Sequence, residues 1–135
     1  MVLLIGGVAI YLYSRTAPTS SESFIYKDLV KLEIPKPNDL ISSPLKIKGE
    51  ARGFWFFEAS FPVRLVDANG NNIPLNPPYV MTANEWMTEN FVPFETTHTF
   101  TKPQTETGTL IVQKDNPSGL PEHDDSFSIP VRFAL

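Results

Sequence analysis

Between Arg52 and Asp67 the chain reads RGFWFFEASFPVRLVD, and from Phe56 onward this run alternates like a strand with one face in water. Phe57, Ala59, Phe61, Val63 and Leu65 fall on one side, while Glu58, Ser60 and Arg64 fall on the other. Five apolar side chains in a row need an opposing apolar layer. Shorter alternating pieces supply it. Val30, Leu32 and Ile34 alternate with Lys31 and Glu33; Leu45, Ile47, Gly49 and Ala51 alternate with Lys46, Lys48 and Glu50. Phe91 to Thr101 reads as a Thr-rich strand with Phe94, Thr96, His98 and Phe100 in phase. Gly108 to Asp115 reads as another, and Phe127, Ile129, Val131 and Phe133 close the chain as the last.

Turn residues punctuate these pieces. Asn69-Gly70 between two alternating runs is the strongest short hairpin signal, and Asn72 to Leu75 is expected to pair back on the central strand. Tyr79 to Ala83 reads as a further short extended piece, and Asn84 to Asn90 as either a loop or a single helical turn. Thirteen Pro against 7 Gly disfavours long helices and favours short strands joined by stiff turns. Seven or eight strands at roughly ten-residue spacing point to an all-β antiparallel sandwich. Two prolines test it: Pro130 requires the last strand to lie at an edge, and Pro62 requires a bulge or an unpaired neighbour.

The ends divide the chain into three parts. Residues 1–13 contain an uncharged apolar run, Val2 to Tyr13, that reads as part of a membrane anchor or as a cleaved export signal. Twelve helical residues reach about 18 Å, short of the roughly 30 Å hydrocarbon layer. Residues 14–28 are expected to be a polar linker, within which Phe24-Ile25-Tyr26 either packs on the domain or continues the tether. Residues 29–135 form the sandwich. The domain is expected outside the bacterial membrane, touching it through the N-terminal segment alone. Arg15 by itself favours that end inside, while the sequence after it looks exported.

Residues Ile41 to Ala59 (ISSPLKIKGEARGFWFFEA) resemble the immunoglobulin-like domain of bacterial spore germination, the Gmad family. Glu85-Trp86-Met87-Thr88, Phe91-Val92-Pro93-Phe94, Gly108-Thr109-Leu110 and Asn116-Pro117-Ser118-Gly119 carry the same likeness in the same order. It covers roughly Ile34 to Phe133. The resemblance implies an immunoglobulin-like β-sandwich of the cell envelope, associated with sporulation and germination. It implies no catalytic residue and no cofactor.

Function must then be read from single residues. A net charge of -4 with no basic run disfavours a nucleic-acid partner, and the absence of Cys excludes disulfides and thiolate chemistry. Two His in no recognisable motif give no nucleophile with a base in reach, and phosphate-binding glycine loops are missing. Trp55 and Trp86 are the candidate hot spots, with the alternative that each is a packing residue. Trp86 with Tyr79 and Met87 is expected to form an exposed patch for another envelope protein. Arg52 and Glu58, flanking the aromatic run, either join in binding or form a structural ion pair. A second reading makes Trp55, Trp86 and Tyr79 stacking platforms for an envelope glycan such as peptidoglycan. His98 is expected half-buried or in a cross-strand contact. The acidic loop from Asp115 to Asp125 is expected to be solvated, with calcium as the alternative.

Overall fold

The computed structural model describes residues 22–134, which form ten strands and two short 3-10 turns. Strands β1 (Phe24–Tyr26), β2 (Val30–Ile34), β4 (Leu45–Arg52) and β8 (Phe91–His98) make one sheet in the order β1-β2-β4-β8. The second sheet runs β3 (Leu40–Ile41), β10 (Ser126–Phe133), β9 (Thr107–Gln113), β5 (Ser60–Asp67) and β6 (Asn72–Ile73). Strand β7 (Tyr79–Met81) pairs with β5 over Ser60 to Pro62, whereas β6 pairs with it at Leu65 and Val66, so the two cover one edge of β5 in tandem. β2-β4-β8 facing β10-β9-β5 is the three-against-three arrangement of an immunoglobulin-like sandwich.

Two expectations are corrected. There are ten strands rather than seven or eight: the pieces expected at 72–75 and 79–83 form as β6 and β7, and the added strands are β1 and β3, only three and two residues long. The sheets are also not wholly antiparallel, since β3 runs parallel to β10, with Leu40 opposite Arg132 and Ile41 opposite Phe133. The chain crosses from the first sheet to the second and back between β2 and β4, and this crossing creates the parallel pair. The open question at Phe24–Tyr26 is settled: they form β1, and the Phe24 and Tyr26 rings stack on Phe127 at 5.8 and 4.9 Å. The folded unit thus begins inside the stretch read as linker. The apolar run Val2 to Tyr13 lies outside the described residues. Among those described, no helix is long and apolar enough to cross a membrane.

Alternation set the core as expected in most strands. Leu45, Ile47 and Ala51 of β4, Phe61, Val63 and Leu65 of β5, and Phe127, Ile129, Val131 and Phe133 of β10 are all buried. Ile34 departs from the phase of Val30 and Leu32 because the β2–β4 register shifts between Leu32 and Ile34, turning Ile34 outward. Both prolines find the edges they need. The ladder between β5 and β9 begins at Val63, so Pro62 lies beyond it and faces β7 on the other side. β3 covers only Arg132 and Phe133, leaving β10 an edge at Pro130 apart from the Asn38 N–H that donates to its carbonyl at 2.7 Å. The Asn-Gly hairpin forms with a longer loop than two residues: Asp67 Oδ1 accepts from the Asn69 and Asn71 N–H groups, and Gly70 adopts φ +83°.

His98 is completely buried. Its Nδ1 lies 2.7 Å from the Pro77 carbonyl and its Nε2 2.7 Å from Thr96 Oγ1. A carbonyl can only accept, so Nδ1 carries the proton and Nε2 accepts from the threonine hydroxyl. Burial lowers the pKa of this ring, against a smaller upward pull from the Pro77 carbonyl. The folded pKa therefore lies below the unfolded value of 6.5. Below that value the unfolded chain takes up a proton that the folded chain refuses, so stability falls with pH, by at most about 1.4 kcal/mol per pH unit for one proton. Urea unfolding between pH 7.5 and 5 is expected to show this slope. His98→Asn, whose amide nitrogen still donates to Pro77, is expected to flatten it.

Candidate binding face

Gly53 opens the 3-10 turn Gly53–Trp55 that joins β4 to β5. A Cβ here would stand 1.9 Å from the Thr88 carbonyl oxygen and 2.2 Å from that of Trp86, so only glycine lets the 84–90 loop close on this turn. The Gly53 N–H donates to the Asn90 carbonyl, and the loop holds itself through Thr88 N–H to the Trp86 carbonyl at 2.8 Å. Asn84 to Asn90 is thus a loop without helix, and it carries Trp86 against the core as a partly buried ring.

The turn also drives Trp55 inward. Trp55 is fully buried, with Tyr26 and Phe127 at ring distances of 6.1 and 6.2 Å, and its Nε1 has no protein acceptor. As a hot spot or a stacking platform it is corrected to a packing residue: no part of the ring reaches the surface.

A tight hairpin follows. Phe57 and Ser60 exchange both backbone hydrogen bonds, at 2.9 and 3.1 Å, across Glu58 (φ +50°) and Ala59 (φ +64°). Positive φ at both central positions is the type I′ signature, normally filled by Asn-Gly. A residue with a Cβ in this region is strained by about 1–2 kcal/mol. The turn corrects two expectations. Phe57 does not share the inward face of Phe61; it turns outward and is 39% exposed, while Phe56 is buried in its place. Glu58 sits at the tip of the turn, apart from any strand face.

Pairing then lines up an apolar surface. Phe57 is bridged to Ser60, Ser60 is opposite Met81, and Pro62 is opposite Tyr79, so all five share the outer face. Met81 is 50% exposed and Tyr79 41%. The Trp86 ring meets Phe57 edge-on at 6.2 Å, and Met87, the residue beside it in sequence, is 73% exposed. Tyr79 and Trp86 therefore join one surface with Phe57 and Met81, which the sequence reading missed. Met81 had a usable signal, because Tyr79-Val80-Met81 alternates around a buried Val80. Phe57 had none, since Glu58-Ala59 is not turn chemistry.

Arg52 is not paired with Glu58, which corrects the ion-pair expectation. Its Nη2 meets Asp28 Oδ2 at 2.8 Å, its Nε donates to the Asp28 carbonyl at 3.0 Å, and the guanidinium stacks 3.9 Å above the Phe91 ring. It clamps the β1–β2 turn to the outer face of the first sheet. Glu58 instead lies close enough to Asp115 to help raise its pKa, second to burial among the upward influences.

The loop from Asp115 to Asp125 is organised by an amide. Asn116 Nδ2 donates to the Leu120 carbonyl at 2.8 Å and to Asp124 Oδ1 at 2.7 Å, and Asp125 accepts from the Tyr26 hydroxyl at 2.6 Å. Among the described residues no group of three or more His, Cys, Asp or Glu side chains is placed to hold a metal ion.

A family model, the immunoglobulin-like domain of bacterial spore germination (Gmad2), matches residues 29–120, well over half of the chain. No curated protein and no solved structure matches it.

Relieving the strained turn is expected to stabilise the domain. Glu58→Asn with Ala59→Gly should raise the unfolding free energy by about 1 kcal/mol. Chemical denaturation checks this; a loss of stability would mean that the turn is not of this type.

Proposed function

Because the chain belongs to the family of immunoglobulin-like domains of bacterial spore germination, we propose that it is a non-enzymatic binding module of the bacterial cell envelope. It is tethered by its N-terminal apolar segment and displays the Phe57–Met81–Trp86 face to another envelope protein. The observation that carries this reading is the outward placement of Phe57 by a turn that is itself strained. Strained backbone concentrates where function requires a side chain in an otherwise unfavourable position. Clustered exposed aromatic and methionine side chains are the composition of an interface centre.

The mechanism is passive. A rigid two-sheet body fixes β5 and β7, these fix the row of outward side chains, and binding covers them from water. The domain needs no moving part. Location outside the membrane is supported by the polar stretch Thr16 to Ser23 between the apolar run and the first strand. The glycan reading loses one of its three rings, since Trp55 is buried.

Site-specific photocrosslinking in cells tests the proposal. A crosslinker at Met81 is expected to give a discrete adduct with a membrane-fraction protein, abolished by Phe57→Ser, whereas one at Lys46 on the opposite sheet gives none. Equal adducts from both positions, or none from Met81, would overturn it. Retention on insoluble peptidoglycan that disappears in Trp86→Ala and Tyr79→Ala would instead favour the glycan.

A further inference from the structure

The two ends of the apolar face differ in charge, with Arg64 at the Tyr79 end and carboxylates at the Phe57–Trp86 end. Residues 54–63 and 78–90, which build the face, contain Glu58, Glu85 and Glu89 but neither Lys nor Arg. Glu58 and Glu85 are exposed, and Asp115 lies within electrostatic reach of Glu58. Nearby basic groups leave this end of the face uncompensated. Arg52 pairs with Asp28 and donates from Nη1 to the Glu89 carbonyl at 3.4 Å, so it reaches the far end of the 84–90 loop rather than the Phe57–Trp86 contact. Lys114 turns to the His123 carbonyl at 3.4 Å. Arg64 projects from the outer face of β5 beyond Pro62, at the Tyr79 end. The Phe57–Trp86 end thus combines ring faces and edges with carboxylates alone.

We infer that the partner segment seated on this face is cationic and apolar, a stretch of protein carrying Lys or Arg among aromatic or aliphatic residues. The inference rests on the binding-face reading above and adds the chemistry of what binds. Apolar side chains of the partner cover Phe57, Met81 and Trp86, and its cations meet Glu58 and Glu85 at the rim or lie over the rings. Met81 and Met87, unbranched and polarizable, let the face adjust to more than one apolar shape. The same carboxylates repel anionic polymers, which sets the face against acidic glycans and anionic lipid surfaces.

Three fluorescent peptides with the same Leu, Phe and Trp content and net charges of about +4, 0 and −4 provide the probe, titrated against the full chain by anisotropy. At about 50 mM salt the cationic peptide is expected to bind roughly tenfold more tightly than the neutral one. At about 500 mM salt, where the screening length has fallen to a few ångström, that advantage should largely vanish. E58Q/E85Q should remove the charge preference, so that the cationic and neutral peptides bind alike, whereas Phe57→Ser with Met81→Ser should weaken all binding. Circular dichroism melting checks that both variants stay folded. Binding that depends on the face but ignores charge overturns the inference and leaves the face standing. Binding unaffected by Phe57→Ser with Met81→Ser overturns the face itself. Failure of the cationic peptide to bind at millimolar concentration overturns the inference, while the Met81 crosslink still reports separately on the face.

Discussion

The contact on which the domain depends is the three-ring cluster of Phe56, Phe61 and Phe94. Phe61 comes from β5 in one sheet, Phe94 from β8 in the other, and Phe56 from the connection between β4 and β5. Their centroids stand 5.1 Å (Phe56–Phe61), 5.2 Å (Phe61–Phe94) and 6.5 Å (Phe56–Phe94) apart, each pair edge-to-face. Such geometry adds roughly 0.5–1.5 kcal/mol per pair to the burial of the rings. More important, it sets register. Sliding β5 by one residue would send Phe61, Val63 and Leu65 to the solvent together, so this cluster decides which face of β5 is inside. The outward placement of Ser60, Pro62 and Arg64 follows from that decision.

The edges show the same economy. β8 is an outer strand of the first sheet, and Pro93 removes one donor from it, while Thr82 Oγ1 and Asn84 Nδ2 both donate to the Pro93 carbonyl. Farther along, Asn76 and Thr99 exchange backbone hydrogen bonds at 2.9 Å. The segment that carries β7 is therefore pinned to both sheets, by a ladder to β5, by side chains to β8 and by one bridge to Thr99 just past its end. That double attachment makes Tyr79 and Met81 rigid features of the surface. Edge blunting and the outward placement of Tyr79 and Met81 are one piece of construction.

What could be read from the sequence divides along a physical line. Periodicity reports on long strands buried on one face, and it placed Phe127, Ile129, Val131 and Phe133 correctly because β10 is regular throughout. It also foresaw the demands of Pro62 and Pro130, which are local and steric. It misread the region from Phe54 to Ser60, where four apolar rings in succession offered two phases, and the chain resolved them by a turn at residues that do not advertise one. The parallel β3 pair was hidden because two residues carry no period. Arg52's partner was hidden because Asp28 is remote in sequence and near only after β1 and β2 fold. The outward cluster was half visible: Tyr79 and Trp86 were named from residue type, while Phe57 required the backbone.

The outward Phe57 bears on why the turn is built as it is. Asn-Gly at positions 58 and 59 would adopt the same path with less strain, so tight reversal alone does not account for Glu58 and Ala59. Glu58 contributes something an asparagine would not: a carboxylate next to the exposed Phe57 and close enough to Asp115 to act on it. A carboxylate held near Asp115 opposes its ionisation, which costs stability rather than adding it. Two destabilising features therefore meet at one place, backbone strain and like-charge repulsion, and both surround the same apolar surface. Neither improves packing, since Phe57 lies outside the core that Phe56 and Phe61 complete. Local rules broken together at residues 57–60, with the strands around them obeying those rules, set this turn apart from the construction of the core.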